Sequence, residues 1–294
     1  MMRVSELAAV ALCAAVACTV PVAPEEEAPE GKPDVQVRRH VPEGCQAVGT
    51  QWKEAKYRGQ AVSVPQAIRH ERTGIELVLI APGSYWRGAS EGDGEAQDDE
   101  KPRHKVTLTQ AFYLGKYEVT NAQYRQFRAD HDSGELKGLS LNGASQPVVR
   151  VSWEDAQAFC ERFGFRLPTE AEWEYACRAG TTGARYGELD AIAWHGEDWE
   201  TGHHAVGGKR ANAWGLHDMI GNVWEWCEDR YGSDEYSRCG SGVTDPTGPT
   251  SGDYRVLRGG SWGNGPGLCR SFRRSRLAPA FRLDDAGFRV ARAL

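Results

Sequence analysis

Several function classes are excluded by what the chain lacks. Its 294 residues carry no basic excess: 35 Lys and Arg stand against 41 Asp and Glu, a net charge of −6. A nucleic-acid binder neutralises phosphates with clustered cations, so no nucleic-acid partner is expected. Beyond Ala17 there is no long apolar run, and the mean hydropathy is −0.57, which excludes a multi-span membrane protein. Neither a C-x-x-C pair nor the Cys/His spacing of a zinc site occurs. The acidic stretch 91–100 (EGDGEAQDDE) lacks the EF-hand spacing and reads as a solvated loop.

Glycine and tryptophan are abundant instead. Glycine makes up 34 residues, about 12% against a usual ~7%, and there are ten Trp. Disordered chains are poor in aromatics, so this composition describes a folded, loop-rich protein whose turns are anchored by large rings. The length suits one large domain or two small ones, either able to bury a full core.

The first residues read as an export signal. Arg3 precedes an apolar stretch, Leu7 to Ala17, too short to span a ~30 Å bilayer as a helix but suited to a signal-peptide core. Glu6 beside it is atypical. Ala15-Val16-Ala17 is an A-x-A cleavage site, giving simple secretion. Ala15-Val16-Ala17-Cys18 resembles a bacterial lipobox, in which Cys18 becomes the lipidated first residue. On that expectation residues 1–17 are a signal peptide, and the protein is an exported periplasmic or cell-surface lipoprotein, touching a membrane only through its lipid anchor. Residues 18–40, rich in Pro and Glu, read as an extended linker. Residues 41–73 form an N-terminal extension, with Cys45 as a candidate tether.

Six cysteines follow the signal region: Cys45, Cys160, Cys177, Cys227, Cys239 and Cys269. In an oxidising compartment an even count invites disulfides, with 15 connectivities for six. Cys227 and Cys239 flank the turn-rich YGSDEYSR and are the one local candidate pair.

From Gly74 the chain alternates short strands, capped helices and glycine-rich loops. Residues 75–80 predict a strand stopped by Pro82-Gly83, and Val106 to Leu114 alternates like another. Three helix starts carry their own caps: Thr120 with Gln123, Ser152 with Asp155, and Thr169 with Glu172, the last helix stopping at Gly180. Apolar residues at helical spacing (Ala156, Phe159, Cys160, Phe163; Trp173, Ala176, Cys177) give the two longer helices their inner faces. No further long helix is expected. Two or three helices followed by an irregular β-rich half predict a single α+β domain with small twisted sheets.

Four blocks in this order resemble the formylglycine-generating enzyme (sulfatase-modifying factor) family: YEVTNAQYRQF (117–127), PVVRVSWEDAQAFC through RLPTEAEWEYACRAG (147–180), NAWGLHDMIGNVWEWCED (212–229), and RVLRGGSW with GFRVAR (255–262, 287–292). The likeness runs over 74–294. It implies a C-type-lectin-like fold, which agrees with the α+β expectation, and an oxygen-dependent oxidation of a client sulfatase cysteine to formylglycine. In the family two cysteines after the GGS-aromatic turn bind copper(I), a soft ion that selects thiolates. Cys269 falls on the second of them. The first falls on Asn264, whose amide cannot replace a thiolate, so copper is not expected here. Ser261 and Trp224 match residues that the family places around its active groove, although glycine turns and buried tryptophans also have scaffold duties. Asp285 stands where the enzymes tend to carry Asn.

The resemblance also implies a calcium ion on the turn Asp218, Gly221, Val223 and Glu225: two carboxylates and two backbone carbonyls, the oxygen ligands a hard cation takes. The alternative is that Asp218 and Glu225 only cap and pair with nearby arginines. A second family calcium site is not carried over, because its first ligand falls on Ile192 and leaves Asp198. His203-His204 reads as a loop pair rather than a metal site. The family partners of Cys160 and Cys177 fall near Val290 and Arg274, so these two thiols are expected free and buried.

Two functions follow. One is an exported scaffold without copper catalysis, binding a protein, peptide or glycan on the former groove, where Arg270, Arg273, Arg274 and Arg276 would form a basic patch. The other is an active enzyme on a sulfatase client, converting a Cys-x-Pro-x-Arg peptide through Cys269. Some lectin-like families diversify this surface by adenine-directed mutagenesis and become Asn-rich there. Residues 259–294 contain only Asn264.

Overall fold

The computed structural model describes residues 37–90, 92–196 and 202–294. The signal segment, Cys18, most of the linker and Asp198 lie outside the described residues. A long hairpin of β1 (Cys45–Tyr57) and β2 (Gln60–His70) comes first, then β3 (Glu76–Ile80), β4 (Gly83–Arg87), β5 (His104–Leu108) and β6 (Phe112–Gly115). The short helix α1 (Asn121–Tyr124) and the two-residue strands β7 (Glu135–Leu136) and β8 (Leu139–Ser140) lead to the main helices, α2 (Trp153–Phe163) and α3 (Glu170–Arg178). Beyond them only single turns, α4 (Leu189–Ile192) and α5 (Glu235–Arg238), interrupt short strands: β9 (Trp224–Arg230), β10 (Gly242–Thr244), β11 (Arg255–Arg258), β12 (Arg274–Leu277), β13 (Ala286–Gly287) and β14 (Ala291–Ala293). The architecture is α+β.

Local sequence fixes the helix starts. Thr120, Ser152 and Thr169 each accept a hydrogen bond from the third helical residue, and Gln123, Asp155 and Glu172 accept one back from the cap. Each box satisfies two otherwise orphaned amides. Gly164 ends α2 in the left-handed conformation (φ 72°). Helix α3 turns at Ala179 (φ 43°), one residue before the expected stop at Gly180.

A five-stranded sheet, in the order β1-β2-β3-β6-β14, divides the core. Side chains alternate across it: Leu77, Leu79 and Tyr113 pack with α2 on one face, while Val78, Ile80, Phe112 and Leu114 pack with α3 on the other. Burial on both faces explains why β3 (ELVLI) is apolar almost throughout. On the α2 side, Phe159 stacks on Tyr124 with centroids 5.6 Å apart and meets Phe288 at 5.4 Å. Such ring pairs add about 0.5–1.5 kcal/mol each beyond their buried area. A second sheet, β12-β11-β9-β13, carries the turns of the candidate site.

Four expectations change. Residues 106–114 form two strands, because Thr109 leaves the ladder to bind Asp245 through its amide and hydroxyl. Cys227 and Cys239 are both free, as are the other four described cysteines; Cys160 and Cys177 are fully buried. Cys45 makes no covalent tether. The hairpin is held by the pairing of Ala67, Ile68 and Arg69 with β3 instead. Finally, the acidic loop is not simply solvated: Glu100 is completely buried against Arg270 and Arg273.

Candidate functional site

Strand β11 runs into Gly259 and Gly260, both at positive φ (102° and 80°), where a side chain would be strained. That double turn presents Ser261. Its hydroxyl donates to Asp285 Oδ2 at 2.9 Å and its amide to Asn264 Oδ1 at 3.0 Å. The Cys269 thiol lies against the Asn264 carbonyl at 3.7 Å, and the same carbonyl accepts from the Gly196 amide at 2.7 Å. Ser261, Asn264, Cys269 and Asp285 therefore form one hydrogen-bonded chain. Trp224 joins it through its backbone, donating to the Asp285 carbonyl at 2.8 Å, while its ring packs in the core beside α2. It acts as scaffold.

Burial dominates the electrostatics here. It pushes the Cys269 thiol up to about 12, with Arg185 pulling only weakly the other way. A fully buried thiol of that acidity is neutral near pH 7 and is a poor nucleophile. Desolvation also raises Asp285, although the bond from Ser261 opposes it. Among the described residues no group of three His, Cys, Asp or Glu side chains is placed to hold a metal. His203 is buried with both ring nitrogens unpartnered, and burial lowers its pKa to about 4. The donor set at Cys269, one thiol facing an asparagine, does not fit copper(I).

The turn before β9 is different. Asp218 and Asn222 have positive φ (53° and 57°), as has Gly221 (79°), where a Cβ would run into the Trp194 carbonyl. Asp218 Oδ2 accepts from the Gly207 amide at 2.6 Å, whereas its Oδ1 is buried without a partner. The Gly221 and Val223 carbonyls accept no backbone hydrogen bond among the described residues. Glu225 is forked by Arg289, Nε to Oε2 and Nη2 to Oε1 both at 2.6 Å, with the Trp173 indole on Oε2 at 2.8 Å. Glu118 closes the cluster, accepting from Asn222 Nδ2 (2.7 Å) and the Val223 amide. Burial first, then Asp218 and Glu225, raises its carboxyl; burial likewise raises Asp218. Three buried carboxylates thus share one guanidinium. An orphaned Asp218 oxygen and two free carbonyls are ligands of the kind a hard divalent cation takes, whereas both Glu225 oxygens are already engaged by Arg289 and Trp173. Half of the expected ligands on this turn are backbone oxygens, so it carries no triad of ligating side chains among the described residues. Sequence reasoning missed Glu118 and Arg289, although both lie in the quoted blocks.

The arginines expected as a surface patch are mostly internal. Arg270 and Arg274 are buried, and Arg273 is nearly so, paired with Glu100 and Glu170. Helix α3 is buried on every side but Glu172, so its charges need partners. Glu170 meets Arg87, Arg258 and Arg274 at 2.7–2.8 Å, and Glu174 meets Arg178 and Arg258. Burial alone would raise both carboxyls, but the guanidiniums overcome it. Glu174 is held at about 2 and Glu170 lower still. The network braces the start of the Ser261 turn rather than offering charge to a ligand.

A family profile described as "Sulfatase-modifying factor enzyme 1-like domain" matches residues 63–294. The chain belongs to this family. It is 31% identical to the formylglycine-generating enzyme of Streptomyces coelicolor, over 79% of this chain and 93% of that one. It is 37% identical to "Serine/threonine-protein kinase pkn1" of Chlamydia pneumoniae over 74% of this chain, but spans only 38% of that relative's length. Among solved structures, PvdO from Pseudomonas aeruginosa superposes with a TM-score of 0.69 at 28% identity, covering 78% of this chain and 98% of that one. The fold is that of the formylglycine-generating enzymes, C-type-lectin-like, and the match begins inside β2, so part of the hairpin belongs to the family domain.

Proposed function

We propose that this protein is an exported member of the family that has kept the scaffold and lost copper catalysis, and that it binds a protein, peptide or glycan on the former groove at Asn264 and Asp285, above the buried Ser261. A sulfatase-like client remains the natural protein partner for such a surface. The carrying observation is Asn264, which the family resemblance puts at the first copper cysteine and whose side chain is spent on the Ser261 amide. The lone thiol beside it is buried and neutral. Asp285, desolvated and bonded to Ser261, gives the surface a carboxylate. The cation-ready turn supports a resident calcium, held by Asp218 and Glu225 with the carbonyls of Gly221 and Val223. Bound there, calcium would supply charge balance and rigidity beneath β9. The apolar segment Leu7–Ala17 followed by Cys18 supports export and lipidation.

The test is the intact mass of a Cys-x-Pro-x-Arg peptide incubated with the folded, calcium-loaded protein, copper(I), oxygen and a thiol reductant. No mass change is expected. An aldehyde product that Cys269→Ala abolishes would overturn the proposal and establish the active enzyme instead.

A further inference from the structure

The hairpin holds a cluster of cations that the family groove does not use. Arg38 and His40 run alongside β2, fixed by the bonds Ser63 amide to Arg38 carbonyl (3.0 Å) and His40 amide to Ser63 carbonyl (2.8 Å). Across from them the β1–β2 turn presents Arg58 and Gly59, both at positive φ (49° and 81°). Two-residue hairpin turns with both central residues left-handed favour Asn-Gly or Asp-Gly, so arginine sits here against its own backbone preference. The His40 ring stacks on Tyr57 at 4.1 Å, and the Arg58 guanidinium lies 5.2 Å from the other partner of that stack, the Tyr57 ring. Together Arg38, His40, Tyr57, Arg58, Gln60 and Val62 line a cleft of ≈450 Å³.

The arginines of this cluster differ from those of the buried network around α3 and β9, which are neutralised by acids. Arg87, Arg166, Arg178, Arg258, Arg274 and Arg289 each meet a carboxylate. Arg38, Arg58 and neighbouring Arg39 and Arg292 meet none among the described residues. Arg39 lies over the Trp52 ring, and Arg292 spends its donors on the Glu43 carbonyl and the Cys45 sulfur. Burial and then the charges of Arg38, Arg292 and Arg58 lower the His40 pKa. In a chain of net charge −6, like charges are gathered here without an ion-pair partner among the described residues. Planar guanidiniums converging on one cleft are the recognition chemistry of tetrahedral oxyanions.

We propose that Arg38, His40 and Arg58 form a binding site for a phosphate-class oxyanion, separate from the surface around Ser261. Such a group reaches the site either as a free phosphate or as a phospholipid headgroup. The experiment compares the full chain with an Arg38→Gln/Arg58→Gln variant, and with an Arg162→Gln/Lys105→Gln variant that loses the same charge from exposed positions elsewhere. Each is titrated with inorganic phosphate by calorimetry. Each is also sedimented with phosphatidylcholine vesicles with and without phosphatidylglycerol, the readout being the increment that phosphatidylglycerol adds. Circular dichroism verifies the fold of all three.

Phosphate binding that weakens at least about tenfold in the hairpin variant alone supports the site with a free phosphate as ligand. A phosphatidylglycerol increment lost in that variant alone, without phosphate binding, supports it with a headgroup as ligand. Absence of both signals in the parent protein, or equal losses in the two variants, overturns the proposal.

Discussion

Arg258 Nη1 lies 2.8 Å from Glu170 Oε1, with both side chains sealed from solvent. This pair ties the last residue of β11 to the first of α3, and the chain leaves Arg258 directly for the Gly259-Gly260 turn that presents Ser261. The candidate site is therefore only as rigid as a buried ionic network. Glu170→Ala would strip Arg87, Arg258 and Arg274 of their shared carboxylate. Breaking one side of a buried pair costs about 3–5 kcal/mol, because the remaining charge stays desolvated. Urea denaturation should register a loss of that order; a loss under about 1 kcal/mol would show that water or rearrangement satisfies the three guanidiniums.

Asp229 provides a pH signature. Burial first and then Glu170 push its carboxyl from 3.8 to about 7, and its Oδ1 has no partner. Between those values the native state holds a proton that the unfolded chain has released, so stability falls as pH rises through about 4 to 7 and is level above. Asp229→Asn keeps an acceptor for the Glu170 amide, which now lies 2.8 Å from Oδ2, and removes the titration. The variant should match the parent near pH 4 and exceed it at pH 8 by on the order of 1–3 kcal/mol. Equal urea midpoints at pH 8 would contradict this.

Calcium should stabilise the fold through the turn before β9. At about 100 times its dissociation constant a ligand of the native state adds ~2.7 kcal/mol, which for a domain of this size is roughly 5–10 °C in Tm. Scans in calcium and in chelator should differ by that amount for the parent and not for Asp218→Ala. An equal shift in both would place the ion elsewhere.

Asn264→Cys should restore a copper pair. The variant puts a second thiol on the residue whose backbone carbonyl the Cys269 sulfur meets at 3.7 Å. Competition with a colorimetric copper(I) chelator should show tight, one-to-one binding for the variant and none for the parent. Equal competition by the parent would show that copper binding survives with Asn264 in place.

Much of this was legible in the sequence wherever the determinant is local. All three capping boxes occupy four consecutive residues, and the structure builds each of them. The family blocks carried the fold and marked Ser261, Asn264, Cys269 and Asp285, which the structure joins by hydrogen bonds. Long-range electrostatics were not legible. The run from Arg270 to Arg276 looks like a surface patch because its partner, Glu100, is far away in sequence and sits in a stretch that itself reads as solvated. Glu118 was hidden for a similar reason: one glutamate in an apolar block acquires meaning only when Asp218 and Glu225 fold against it. The single strand expected over 106–114 failed because alternation cannot reveal that Thr109 binds Asp245.

The central sheet sets an order of events in the life of the chain. Strand β6 pairs with β3 early in the sequence, but its other edge waits for Ala291, Arg292 and Ala293 of β14. Until those residues emerge, Phe112 and Leu114 belong to a sheet with an open flank, and such edges recruit foreign strands. Contacts of this sequence separation form slowly. A chain that has not yet delivered β14 therefore lacks a finished core, a state hazardous without a chaperone to cover the gap.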